Sequence, residues 1–245
     1  MGILMRLAVR VSRLRKGQSK VVLVLCGGYR GPFEGERIRR TVRRGVRIAD
    51  ALDSSPPDVW IYGADCHRLP AIKSGSLEAW IADWAVLARS PVFGKSKENG
   101  NPLARSTEEY GLFKGGSVAS AMKILRTEYR SSRVPVLVLF HVESMEGEDC
   151  GVARELEKAS VNSLFWQFLA QLDEMHPSVL NRLDDVRRER PSITNAHYNN
   201  SWDMDTSVGM DTFMQYGMIK PYARWAREPR RRRLGCSALS TEPPQ

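Results

Sequence analysis

The residues of this chain that could do chemistry gather at the ends of two apolar runs. Lys20–Cys26 (KVVLVLC) ends on a thiol and is followed by Gly27, Gly28 and Arg30. Residues 134–142 (VPVLVLFHV) carry His141 next to their end, with Glu143 just beyond. Cys26 and His141 together have the makings of a thiol–imidazole nucleophile, although a small buried Cys and a satisfied interior His are the simpler expectation. Gly27-Gly28, lying between a strand and a helix, suggests a phosphate loop. Neither G-x-x-x-x-G-K-[ST] nor G-x-G-x-x-G is present among Gly27, Gly28, Gly31 and Gly35, however, so a tight turn with close backbone approach is expected instead. Glu143, Glu146, Glu148 and Asp149 would offer oxygens to calcium, but Gly147 fits no EF-hand spacing and a solvated acidic face is the expectation.

Cys26, Cys66, Cys150 and Cys236 stand far apart with no C-x-x-C pair, which removes zinc-ribbon and thioredoxin readings. Without a disulfide framework or a secretory leader, a reducing compartment, the cytoplasm, is expected. An acid-free stretch before Glu34 has the character of an organellar transit peptide, yet it runs straight into a core strand. No run reaches the roughly 18–20 apolar residues that a bilayer crossing needs.

The formal charge of +9 is terminal. Residues 1–20 hold Arg6, Arg10, Arg13, Arg15, Lys16 and Lys20 with no acid, and residues 224–245 include Arg230, Arg231, Arg232 and Arg233. The body between them is close to neutral and shows no basic stripe with interleaved aromatics, so sequence-specific nucleic-acid recognition is not expected. The arginine run offers at most a general anionic tether.

The elements that must position these groups follow from periodicity. The two apolar runs are apolar on both faces, as central strands of a parallel sheet are. Ile38, Val42, Val46, Ala49 and Leu52 recur at helical spacing, and Asp58–Tyr62 (DVWIY) starts the next strand. Residues 63–73 are read as a turn and short edge strand. A helix over 76–90 is N-capped by Ser76, and another over 117–129 turns Val118, Ala121, Met122 and Leu125 inward. A short helix over 152–159, strands over 164–169 and 193–200, and helices over 178–188 and 211–227 complete the prediction, with a long polar loop over 90–116. The cluster Trp60, Tyr62, Trp80, Trp84, Phe165, Trp166 and Phe168 lies at strand and helix spacings, so it is read as core. Such alternation predicts an α/β fold: a doubly wound, mostly parallel sheet with helices on both faces, whose ligands bind at the carboxyl ends of the strands. The divisions expected are a basic N-terminal arm (1–18), one domain (19–227) and a basic flexible tail (228–245).

The order of these pieces resembles a von Willebrand factor A domain of the intracellular tellurium-resistance and stress-protein type. The matching segments are VLVLCGGYRG (22–31), DVWIYGADCHRLPAI (58–72), KGGSVASAM (114–122), PVLVLFHVES (135–144), SLFWQFLAQL (163–172) and ITNAHYNN (193–200). The resemblance implies a rim at which five side chains form a metal-ion-dependent adhesion site, usually holding Mg²⁺, completed by an acidic group of a partner. Mapped onto this chain, the first Asp of the Asp-x-Ser-x-Ser loop is replaced by Cys26 and its serines by Gly28 and Arg30. Ser117 fills the Thr position and Glu143 the last Asp position. Only Ser117 and Glu143 keep oxygen side chains; a soft thiol, a bare glycine and a fixed cation suit a hard ion poorly.

These departures predict a non-enzymatic protein-interaction module with no cofactor, since Mg²⁺ would enter only if the degenerate site still binds it. Arg30 either takes the cation's place, paired with Glu143 or open to a partner's acid, or points into solvent. The partner expected is another protein, contacted through an acidic group at residues 27–35, 94–117 and 143–150. A divalent-cation site on Ser117 and Glu143 is the first rival, and a Cys/His hydrolase or nucleotide-binding enzyme the second.

Overall fold

The uniformly apolar strands form the centre of one sheet. The computed structural model describes residues 14–26, 34–63, 65–73, 75–84, 116–142, 148–170, 185–186, 188–199 and 208–227. In chain order these give β1 (Lys20–Cys26), α1 (Glu34–Leu52), β2 (Asp58–Tyr62), β3 (Cys66–Arg68), α2 (Leu77–Trp84) and α3 (Val118–Glu128). They continue with β4 (Val136–Val142), α4 (Asp149–Ala159), β5 (Leu164–Ala170), β6 (Ala196–Asn199) and α5 (Val208–Arg227). The six strands lie in the order β3-β2-β1-β4-β5-β6. Every pairing is parallel except that of the edge strand β3 with β2. The fold is thus the expected doubly wound α/β sheet. Several boundaries differ: α4 starts three residues before the expected 152 and α5 at 208 rather than 211, while β4 starts at 136 rather than 134 and β6 at 196 rather than 193.

Strand alternation divides the core into two layers. Register aligns Cys26 with Tyr62 and Val24 with both Trp60 and Phe140, so these side chains share one face. Phe140, fully buried, lies at its centre with ring centroids 5.1 Å from Tyr62, 6.1 Å from Trp166 and 5.8 Å from Phe168. Helix α3 belongs to this face, because its C-cap Tyr129 accepts a hydrogen bond from Trp60 Nε1 at 3.0 Å. Its neighbour α4 is tied to it by Arg126 and Glu155 at 2.9 Å. The other face carries Leu23, Leu137 and Phe165. Gly45 of α1 lies so close to Leu23 that an added Cβ would sit 3.0 Å from Leu23 Cδ2. Tyr222 of α5 meets Phe165 edge-on at 5.7 Å and Trp225 packs on it at a tilt at 5.3 Å.

At the amino ends of the strands, buried Asp53 accepts from the Val21 N–H at 2.9 Å and from Ser55 Oγ at 3.0 Å. Asp58 gathers Arg68 at 2.6 Å, Lys20 at 3.2 Å and the Tyr129 hydroxyl at 2.8 Å. The tryptophans and aromatics read as core are buried or half-buried against it.

Phe140→Ala should remove the centre of the aromatic layer at a cost of about 3–5 kcal/mol, read as a lower urea midpoint at unchanged m-value.

Candidate functional site

From β1 the chain first winds outward to β2 and β3, then returns past β1 to build β4, β5 and β6 on the other side. The switch point therefore lies between the carboxyl ends of β1 and β4, at Cys26 and Val142, where doubly wound sheets place their ligands. Helix α3 brings its N-terminus to the same rim. A Cβ on Gly116 would overlap the carbonyl of Gly63, the residue after β2, so the turn before Ser117 reaches the sheet only because position 116 lacks a side chain.

Ser117 is the N-cap of α3, with extended backbone (φ −87°, ψ 119°), and its Oγ accepts from the Ser120 N–H at 3.1 Å. The same hydroxyl donates to Glu148 Oε2 at 2.7 Å. Val118 N–H donates to Glu148 Oε1 at 3.2 Å and Ala119 N–H to Oε2 at 3.0 Å. One carboxylate thus satisfies two backbone donors left open by the helix and one hydroxyl, at the positive end of the helix dipole. Glu148 is also the N-cap of α4 but makes no side-chain capping bond there; its carboxylate serves α3 instead. For Glu148 this corrects the expectation of a solvated acidic face, since it is half-buried and turned inward; Glu143 and Glu146 lie outside the described residues. Its role has no local signature, because Ser117 and Glu148 are 31 residues apart in the chain.

The other expected site residues fare differently. Cys26 sits at the end of β1, 7% exposed. Gly28, Arg30 and Glu143 lie outside the described residues, as do Arg230, Arg231, Arg232 and Arg233 and the proposed pairing of Arg30 with Glu143. Cys26 and His141 do not form a catalytic pair. Val24 aligns with Phe140, so Cys26, two residues on, shares Phe140's face while His141 points to the opposite one. Adjacency at strand ends suggested the pair, and the pleat separates it. Burial holds the His141 imidazole neutral, with its pKa lowered to about 4. Burial likewise pushes the Cys66 thiol up to about 12, far from the thiolate a nucleophile requires. Cys150 is exposed on the first turn of α4.

Two of the five mapped rim positions, Cys26 and Ser117, lie among the described residues. Cys26 at the end of β1 offers a buried thiol, a soft donor, and the Ser117 hydroxyl already donates to a carboxylate and accepts from the backbone. Among the described residues, the Glu148 carboxylate is held by one hydroxyl and two backbone N–H groups.

The family model described as "vWA found in TerF C terminus" matches residues 18–234. The chain belongs to this family. It is a von Willebrand A domain of the tellurium-resistance type. No curated protein matches it. Within this von Willebrand A domain, no described helix is long and apolar enough to cross a membrane.

Gly116→Ala should force the α3 turn off Gly63 and destabilise the domain by about 1–3 kcal/mol, with the Val118 and Ala119 amides losing hydrogen-exchange protection first. The native His141 pKa lies below the unfolded value of about 6.5, so the unfolded chain takes up a proton that the folded one refuses until about pH 4. Stability should therefore fall as pH drops from about 6.5 to 4, by up to roughly 3 kcal/mol from this group. Urea unfolding of His141→Leu should show a shallower decline over that window than the parent.

Proposed function

We propose that this domain is a non-enzymatic, cytoplasmic protein-interaction module that recognises an acidic group at the switch-point rim without a divalent cation. The observation that carries the reading is the Glu148 carboxylate seated on Ser117 Oγ and the Val118 and Ala119 N–H groups. In the family this chain resembles, a partner's acid completes a metal's coordination shell. Here the donors at the N-terminus of α3 hold a carboxylate directly. Charge-assisted bonds of this kind contribute about 1.5–3 kcal/mol each. Exchange of Glu148 for a partner's carboxylate keeps their number constant, so the exchange is nearly balanced. Net affinity then comes from the rest of the contact, including Arg30 where it meets the partner's acid. The mismatch between Cys26 and a hard ion supports the metal-independent form of the reading.

The test is amide NMR on the full chain, with an acidic peptide titrated in the presence and absence of Mg²⁺ and EDTA. In Glu148→Gln the vacated donors should take the peptide, moving the Val118 and Ala119 amides, with Ser117→Ala weakening binding at least tenfold and EDTA changing nothing. Binding that requires Mg²⁺, or shifts confined to the arginine-rich tail, would sink the reading.

A further inference from the structure

The strands β2, β1, β4, β5 and β6 all run the same way, so their amino ends share one face of the domain, roughly 20 Å of strand away from the rim. Three segments meet at the centre of that face. The Tyr222 hydroxyl of α5 donates to Ser19 Oγ at 2.8 Å and lies 3.3 Å from the Pro135 carbonyl, to which the Lys20 N–H donates at 2.9 Å. Ser19 and Pro135 immediately precede β1 and β4. The Gly17 N–H bonds the Leu52 carbonyl at 3.0 Å, which pins the approach to β1 against the end of α1.

Cations collect within a few residues of this junction. Arg15 and Lys16 precede Ser19, Arg130 and Arg133 precede Pro135, and Arg224 follows Tyr222. All five are exposed, and among the described residues their side chains make no ion pair or hydrogen bond. Arg227, also exposed, uses its Nε on the Ala223 carbonyl at 2.9 Å and keeps its charge uncompensated. The acids packed at this end are engaged. Asp53 holds the Val21 N–H and Ser55, and Asp58 holds Arg68, Lys20 and Tyr129. Glu128 lies 4.0 Å from Arg68 and Glu157 2.7 Å from Arg190. Exposed Asp50 and Glu189 offset part of the charge and leave a cationic excess. The turn between α4 and β5 adds an apolar group: Val161 is 63% exposed, and the Val136 N–H bonds the Ser163 carbonyl of the same turn at 2.7 Å.

Spread cations of this kind attract a polyanion, and the apolar groups among them select which one. A nucleic-acid backbone uses cations and stacking aromatics and has no place for an exposed aliphatic group. An anionic bilayer takes both, cations at its headgroups and aliphatic side chains at the acyl boundary. The chain that enters this face has the same double character. Residues 1–16 carry Leu4, Leu7, Val11 and Leu14 at helical spacing, Arg6, Arg10 and Arg13 among them, and no acid. The chain that leaves it after Arg227 carries Glu228 and then Arg230, Arg231, Arg232 and Arg233. We propose that the amino-end face docks on an anionic lipid bilayer as a peripheral contact. Arg15, Lys16, Arg130, Arg133 and Arg224 meet the phospholipid headgroups, Val161 reaches the acyl boundary, and the switch-point rim is turned away from the lipid. This contact is independent of the carboxylate exchange at Ser117.

The experiment is co-sedimentation of the full chain with phosphatidylcholine vesicles, with and without phosphatidylglycerol, and a parallel titration with a short DNA duplex at equal phosphate. The expected result is binding that needs phosphatidylglycerol and weakens with salt. Each basic residue near such a surface contributes about fivefold in partitioning, so Arg130→Glu/Arg133→Glu should lose at least tenfold. Both residues are exposed, so the urea midpoint of that variant should stay near the parent's. Val161→Trp should raise partitioning and Val161→Ser lower it, neither changing affinity for the duplex, and Ser117→Ala should leave vesicle binding unchanged. Equal binding to vesicles without phosphatidylglycerol, or tighter binding to the duplex, overturns the proposal. Parental partitioning in Arg130→Glu/Arg133→Glu overturns it too, since binding would then rest on the arm or tail, as does Val161→Trp partitioning no better than Val161→Ser.

Discussion

The Glu148 carboxylate on the first turn of α3 joins parts of the chain that are remote in sequence. It arrives from the segment after β4, takes two of α3's open backbone donors, and precedes the first residue of α4. That bond can form only because Gly116 lets the start of α3 press against Gly63 beyond β2. The segments after β2 and β4 are thereby tied to one helix terminus. The electrostatics are favourable for a simple reason: a negative group sits where unsatisfied N–H groups and the helix dipole point outward.

In a von Willebrand A domain of this type, the frame of the rim is the switch point between β1 and β4 with α3 beside it. Cys26 occupies the end of β1 as part of the buried layer around Phe140. His141 is buried in the other layer, neutral because charging it would require solvation that the core denies.

The two ends of the sheet differ in character. At the carboxyl ends the chain presents donors that hold an anion in tight geometry; at the amino ends it presents exposed cations around the junction of Ser19, Pro135 and Tyr222. A hydrogen-bonded helix terminus is selective for a single carboxylate, whereas spread cations beside an exposed Val161 respond to total charge and apolar area.

Much of the framework was legible in the chain itself. β1 and β2 have the bounds that their composition predicts, and Ser117 caps the helix it was expected to open. Both-face apolar runs can only be satisfied inside a covered parallel sheet, and helical spacing of Val118, Ala121, Met122 and Leu125 can only be buried on one side. Local pattern therefore determined the elements, their order and the family resemblance. Tertiary structure alone decided which polar groups meet. Strand pleat sent Cys26 and His141 to opposite faces, and chain packing delivered Glu148 to Ser117 across 31 residues. Contacts of that kind depend on register and on the close approach of backbones, which no periodicity within a single segment encodes.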